Sequence, residues 1–396
     1  MTWEQTPDPG AARRRLWAVA LLVAIAVVTW MLLTRGEGSG MLTIGPTAPP
    51  TPAGLVVPSS DPSDVTPTPL GRMESATEIA GDGPMLPGAP ELTVITSAEG
   101  ELSTIDLATG DIRVMGSPVG APYVTDPWML FTVGDHVISN AVDHVLAMTG
   151  PDQQTTRLAR NHFALPTFDD TSVWVRGNLY GVVGTSLLLR LRLDGTVADR
   201  IVVPAVAQPR AGIADGVLLS TPSGIHIASG DGVRRITASG ELLAVSADRR
   251  LAWLDCAADL SCYIVIGTLD DPDQVRVPIA PNEVTTGDIG LPLGRFSPDG
   301  RQLALPLLRF GVGEMNMMNA HGAVAILDTA TGSEMTRIQN PLSEAYEGSP
   351  FEWSPDGRFL FVGLGSILSA WDADTGDLTE LDDRPNPIRG LAVTRG

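Results

Sequence analysis

The stretch FSPDGRQLA, from Phe296 to Ala304, has a near copy in WSPDGRFLF, from Trp353 to Phe361. In both copies an apolar residue leads into a polar S-P-D-G turn, and an apolar run comes soon after the turn. Proline presets the backbone for a turn corner, aspartate accepts hydrogen bonds from turn amides, and glycine adopts the left-handed conformation. We therefore interpret these residues of the two copies as structural turns between strands: Pro298, Asp299, Gly300, Pro355, Asp356 and Gly357.

A second phrase, Asp-x-x-Thr-Gly after an apolar residue, occurs at Asp106, Asp328 and Asp372. Asp328 and Asp372 are 44 residues apart, and Asp106 precedes Asp328 by 222 residues, so the three copies share one period. A period of this length is typical of β-propeller blades, each a small antiparallel sheet of four strands. In such a blade the SPDG turn joins the first and second strands, and the second phrase joins the third and fourth.

The chain after residue 90 is long enough for about seven such blades, with six and eight as the alternatives. The two SPDG turns are 57 residues apart, so one blade carries an insertion, which we place near residues 310–322. Four weaker copies of the first turn are predicted between the strong ones and residue 115, each with an aspartate before an apolar strand. They lie at residues 124–131, 168–175, 213–220 and 245–254.

The unit that begins at Glu91 lacks a first strand, and the sequence IRGLAVTRG from Ile388 to Gly396 resembles the other first strands. We expect this C-terminal strand to pair beside Glu91–Thr96 and to close the ring, which leaves only short strand edges exposed. The predicted fold class is therefore all-β, a seven-bladed β-propeller over residues 91–396.

The N-terminal region has a different character. Leu16–Leu33 is an 18-residue apolar run that predicts a transmembrane helix, and three arginines precede it, which places the stub 1–15 in the cytoplasm and the rest outside. A cleaved signal peptide and a buried core helix are the alternatives, but the run is long for a signal and lacks a small-residue cleavage site. Residues 34–90 are rich in Pro, Gly, Ser and Thr, which predicts a disordered linker.

These motifs resemble those of the bacterial WD-repeat-like propellers with TolB-type and YVTN-type repeats. The match is strong at Phe296–Arg301 and Trp353–Arg358, Trp371-Asp372 is similar to the WD dipeptide, and the likeness extends over residues 90–396. The Gly-His pair of the eukaryotic repeats is missing. The resemblance implies a binding platform, which is the role of most members, although some are enzymes. All 26 basic residues are Arg, which favours a bacterial gene of high GC content.

The formal charge of −20 argues against a nucleic-acid partner, because an acidic surface repels phosphate backbones. We therefore expect a protein, peptide or cell-envelope component as the partner, with the membrane engaged through the N-terminal helix and with no cofactor. The five histidines are scattered over the sequence, and no HExxH, GxSxG or P-loop pattern is present. The enzymatic alternative is a lactonase-like hydrolase that gathers a divalent cation at the channel mouth from several blades.

Two loops contain candidate site residues. Cys256 and Cys262 flank the connection between a second and a third strand, and we expect a disulfide outside the cytoplasm, with free thiols or half of a metal site as alternatives. The insertion holds the candidate binding residues Met315, Met317, Met318 and His321. They offer either soft ligands for Cu(I) or an adaptable apolar contact surface. With Gly177–Ser186, these loops are predicted to share one face of the disc.

Overall fold

The computed structural model describes residues 67–72, 75–88, 91–98, 101–115, 125–141, 145–160, 162–177, 185–204, 207–257, 261–280, 283–285, 294–309, 321–339, 350–383, 387–388 and 390–395. These residues form seven β-sheets, which are the blades of a propeller. No helix in this part of the chain is long and apolar enough to cross a membrane. The predicted transmembrane helix at 16–33 lies outside the described residues.

The strands of the first three blades follow one another along the chain. Two short strands come first, β1 (Thr68–Arg72) and β2 (Ser75–Ile79). Blade 1 contains β3 (Leu92–Ala98), β4 (Glu101–Asp106) and β5 (Ile112–Met115). Blade 2 contains β6 (Thr125–Val133), β7 (His136–Ala141), β8 (Val145–Thr149) and β9 (Gln154–Arg160). Blade 3 contains β10 (His162–Ala164), β12 (Ser172–Gly177), β13 (Thr185–Arg192) and β14 (Val197–Pro204), with β11 (Thr167–Phe168) between its first two strands in sequence.

The remaining blades repeat this meander. Blade 4 contains β15 (Gln208–Ile213), β16 (Gly216–Thr221), β17 (Gly224–Ser229) and β18 (Gly232–Arg235). Blade 5 contains β19 (Glu241–Val245), β20 (Arg250–Cys256), β21 (Cys262–Thr268) and β22 (Val275–Pro278). Blade 6 has its first strand in two pieces, β23 (Glu283–Val284) and β24 (Arg295–Phe296), followed by β25 (Gln302–Arg309), β26 (His321–Asp328) and β27 (Glu334–Gln339). Blade 7 contains β28 (Phe351–Trp353), β29 (Phe359–Leu364), β30 (Ile367–Asp372) and β31 (Leu378–Asp383).

The C-terminal strand β32 (Gly390–Arg395) closes the ring. It pairs antiparallel with β3, with Leu92 opposite Arg395 and Ser97 opposite Gly390. It also lies next to β28 of blade 7 and β6 of blade 2. The predicted closure by residues 388–396 beside Glu91–Thr96 is therefore confirmed, as is the seven-bladed all-β fold.

The chain before Glu91 differs from the prediction of a linker that reaches residue 90. β2 pairs with β5 at the outer edge of blade 1, and β1 pairs with β9 at the outer edge of blade 2. Leu86 is buried in the core. We call residues 67–72 and 75–88 the strap. Strand edges of the two blades supply backbone partners that a Pro- and Thr-rich segment cannot supply for itself, and this pairing orders the strap.

Burial follows from the position of each strand within its blade. The second strand of blade 7, β29, is a continuous apolar run in which every residue is buried, because neighbouring blades cover both faces of its sheet. The fourth strand of blade 4, β18, is exposed throughout. The core consists of apolar clusters between blades, such as the one that joins Val94 and Leu107 of blade 1 to Phe359 and Phe361 of blade 7.

Three of the four weak first turns lie where the sequence predicts them. The turns predicted within 168–175, 213–220 and 245–254 each fall between a first and a second strand. The prediction at 124–131 is wrong, because these residues belong mostly to β6 and the turn is at Gly134–Asp135. The register shift between Asp126 and Leu130 shows that this stretch is an irregularity within the strand rather than its end.

Candidate binding face

The meander gives the disc two faces. Loops between first and second strands, and between third and fourth strands, lie on one face, which we call the turn face. Loops between second and third strands, and the connections from one blade to the next, lie on the opposite face, which we call the loop face. SPDG and Asp-x-x-Thr-Gly both fall on the turn face, because they join the corresponding strands.

The SPDG turns are closed by their own side chains. In blade 6, Ser297 Oγ donates to Asp299 Oδ1 over 2.7 Å, and the amide of Gln302 donates to Ser297 Oγ over 2.9 Å. Blade 7 repeats this pattern, with the Phe359 amide donating to Ser354 Oγ over 2.9 Å. Gly300 has a φ of 70° and Gly357 a φ of 75°, which a side chain would strain.

The Asp-x-x-Thr-Gly turns use their carboxylates in the same way. Asp328 Oδ1 accepts the amide of Thr331 over 2.8 Å, and the amide of Gly332 donates to the Asp328 carbonyl over 2.8 Å. The Thr331 hydroxyl and amide hold the pKa of Asp328 below its usual value. These turn aspartates therefore have structural partners within the turns, which fits the structural role that the sequence predicts for the turns.

The three loops with predicted roles each join a second strand to a third, so the strand ends that flank them lie at the loop face. They connect β12 to β13, β20 to β21 and β25 to β26. Met315, Met317 and Met318 lie outside the described residues, so their binding role stays a prediction. His321 is the first residue of β26 and pairs with Arg309, so it belongs to the strand and not to the insertion.

Cys256 and Cys262 stand opposite each other at the ends of β20 and β21 and form a disulfide. Their Cα atoms are 4.0 Å apart. The bridge holds the neck of a short hairpin loop on the loop face of blade 5. A covalent link at this point restricts the conformations open to the loop between the two cysteines.

Charged pairs between neighbouring first strands line the central channel. Arg295 of β24 donates from Nε to Glu352 Oε2 of β28 over 2.9 Å, and Arg210 of β15 is paired with Glu241 of β19. Sequence inspection missed these residues, although a signal was present. Arg295 and Glu352 each stand two positions before the serine of an SPDG turn, so they are opposite charges at equivalent positions of adjacent blades.

One further segment lies inside the channel. β11 pairs parallel with β15, on the side of that first strand that faces the channel, with Phe168 opposite Ile213. The guanidinium carbon of Arg295, from blade 6, lies 5.5 Å from the centre of the Phe168 ring. Because Ile213 is the last residue of β15 before its turn, β11 occupies the turn-face end of the channel.

Asp169 follows β11 directly and holds it to blade 3 through an ion pair and hydrogen bonds. Its side chain is 7% exposed and is paired with Arg190. Burial alone would raise the pKa of Asp169, but hydrogen bonds from Ser172, Thr171 and Arg190 outweigh burial and lower it.

The described residues contain no group of three or more His, Cys, Asp or Glu side chains placed to hold a metal ion. His226 is buried in blade 4, where its Nδ1 lies 3.2 Å from the Gly224 carbonyl. Burial lowers the pKa of His226. The side chains of His144, His162 and His321 lie outside the described part of the structure.

No protein-family model and no curated protein sequence matches the chain. Among solved structures, it is similar to apo AztD from Citrobacter koseri, with 11% identity over 76% of this chain and 96% of that chain, at a TM-score of 0.44. It is also similar to Hsv2 from Kluyveromyces lactis, with 12% identity over 61% of this chain and 72% of that chain, at a TM-score of 0.42. A chain of a nidogen/laminin complex has 14% identity over 76% of this chain and 98% of its own, at a TM-score of 0.35.

Proposed function

We propose that this protein is a bacterial, membrane-anchored propeller that displays its loop face outside the cytoplasm as a binding platform for a protein, peptide or cell-envelope component. The apolar run at 16–33 supports the anchor, and the disulfide between Cys256 and Cys262 fits an oxidising compartment.

The observation that carries the proposal is the different use of the two faces. On the turn face, side chains of the strong turns bond within their own turns, and residues 81–88 of the strap cross the face beside blade 1. The described strap residues contact outer strands and a turn-face loop, since β1 and β2 pair with β9 and β5 and Pro67 lies against Gly195 in the turn between β13 and β14. Loops on a rigid scaffold are the usual location of binding residues.

The test is crosslinking in intact cells. Residues 311–319 are replaced by a short Gly-Ser link that keeps His321 paired with Arg309, and partners captured by this variant are compared with those of the unchanged chain. The matched control adds Gly-Ser residues in the turn-face loop at Gly232, where a Cβ would have no atom within 4 Å. We expect the loop-face variant alone to lose a captured partner. Identical capture by all three chains would contradict a role for this loop, and loss in the control alone would place binding on the other face.

A further inference from the structure

The first part of the strap contacts blades 3, 2 and 1 in turn. At its start, Pro67 packs on blade 3, since a Cβ added at Gly195 would lie 1.9 Å from Pro67 Cγ. β1 then extends the sheet of blade 2, where Arg157 Nη2 donates to Thr68 Oγ1 over 2.7 Å. β2 extends the sheet of blade 1.

After β2, the strap runs across the third turn of blade 1 with close backbone contact. The amide of Gly81 donates to Asp111 Oδ1 over 2.9 Å, and the amide of Met85 donates to the Leu107 carbonyl over 3.0 Å. A Cβ at Gly81 would lie 2.2 Å from the Thr109 carbonyl oxygen and 2.5 Å from Gly110 Cα. Only glycine allows this approach.

The end of the strap reaches the seam where the ring closes. Leu86 is 3% exposed and belongs to the apolar cluster that contains Phe359 of blade 7 and Leu391 of β32. The carbonyl of Gly88 accepts a hydrogen bond from Arg358 Nη1 over 3.4 Å. The strap therefore contacts blades 3, 2, 1 and 7.

This path matters because the seam joins distant parts of the chain. β3 and β32 are almost 300 residues apart in sequence, so their pairing carries the largest loop-closure entropy in the ring. Blade 1 takes an outer strand from the strap and an inner strand from the C-terminus, in the order β2-β5-β4-β3-β32. Contacts that hold both edges of this sheet restrict its opening.

We propose that the strap is a detachable clasp of the ring. When it is in place, it holds blade 1 against blade 7. When it is released, by cleavage or by tension on the segment before Pro67, the seam between β3 and β32 opens locally while blades 4 and 5 stay folded. This inference is independent of the proposed binding function, since it concerns how the ring is held closed.

The test uses hydrogen exchange on the full chain with a specific protease site inserted at residues 89–90. Cleavage leaves all strands present but unlinks the strap. We expect exchange of the β3 and β32 amides to rise at least about tenfold after cleavage, while amides of β16 and β20 change little. Equal exchange before and after cleavage, with the strap fragment lost from the protein, would overturn the proposal.

If the cleaved fragment stays bound, two point variants in the same chain test the proposal. Leu86→Ala removes the buried anchor and is expected to release the fragment and raise seam exchange at least about tenfold. Ile79→Ala is the matched control, because Ile79 is an apolar strap residue that is 53% exposed. A rise that is equal in both variants, or equal across all blades, would show that the strap is not a local clasp.

Discussion

Blade 7 has two neighbours, and it is joined to them by different means. Towards blade 6, the Arg295–Glu352 ion pair and a hydrogen bond of 3.1 Å from Trp353 Nε1 to the Arg295 carbonyl add polar links to an apolar cluster. Towards blade 1, an apolar cluster is supplemented by the strap. The interface with blade 6 joins blades that are consecutive in sequence, whereas the interface with blade 1 joins the last blade to the first. The comparison indicates that the closing seam depends on segments that lie outside the repeat.

Removal of residues 390–396 should have the largest effect, because it deletes the inner strand of blade 1 and the buried side chains of Leu391 and Val393. We expect the free energy of unfolding to fall by more than about 5 kcal/mol. Urea denaturation measures this change, with a Gly-Ser tail added after Gly396 as the control. An unchanged midpoint in the truncated chain would mean that the pairing of β32 with β3 contributes nothing to stability.

Glu352→Ala tests the ion pair between blades 6 and 7. Arg295, whose side chain is 13% exposed, would lose its carboxylate partner in a nearly buried position. We expect a loss of about 3 kcal/mol in unfolding free energy. The control is Glu78→Ala, which breaks an exposed pair with Arg113 on blade 1 and should cost about 0.5 kcal/mol or less. Equal losses would remove the contrast between the two pairs.

Two glycines at the same position of the Asp-x-x-Thr-Gly phrase test how closely the strap packs on blade 1. Gly376 of blade 7 has a φ of 79° and open space around it, so Gly376→Ala should cost about 1–2 kcal/mol from backbone strain alone. Gly110 of blade 1 has a φ of 77°, and a Cβ there would lie 2.8 Å from the Gly83 carbonyl oxygen of the strap. Gly110→Ala should therefore cost about 1.5 kcal/mol more. Thermal unfolding of the pair measures the difference, and equal losses would argue against a tight strap.

The smallest effect concerns pH. The hydrogen bond from the Gly81 amide, followed by that from Thr109, lowers the pKa of Asp111 from its usual 3.8. Because the pKa of Asp111 is lowered in the folded state, its ionised carboxylate stabilises the folded chain at pH values above 3.8. This stabilisation is lost as the pH falls through the pKa of the folded state. The Gly81 amide proton should therefore shift in NMR spectra only below that pH. Asp111→Asn should abolish the titration, and a shift that persists in this variant would assign it to another group.

The regular part of the fold could be predicted from the sequence because its signals are local. An SPDG turn holds its serine, aspartate and glycine within four residues, and the serine and aspartate side chains together with the glycine amide close the turn. The strap gives no such signal, since Ser75 finds its partner at Met115 and the segment has no apolar period. β11 is only two residues long and is defined by pairing with β15. The channel ion pairs become visible only when the two SPDG copies are aligned with their preceding residues.

The position of β11 also has a consequence for how the blades are linked. Phe168 is tied to blade 4 by the pairing of β11 with β15, and the guanidinium carbon of Arg295 from blade 6 lies 5.5 Å from the centre of its ring. Two blades that are not neighbours in the ring therefore meet through one short strand, so a shift of blade 6 relative to blade 4 would have to displace Phe168.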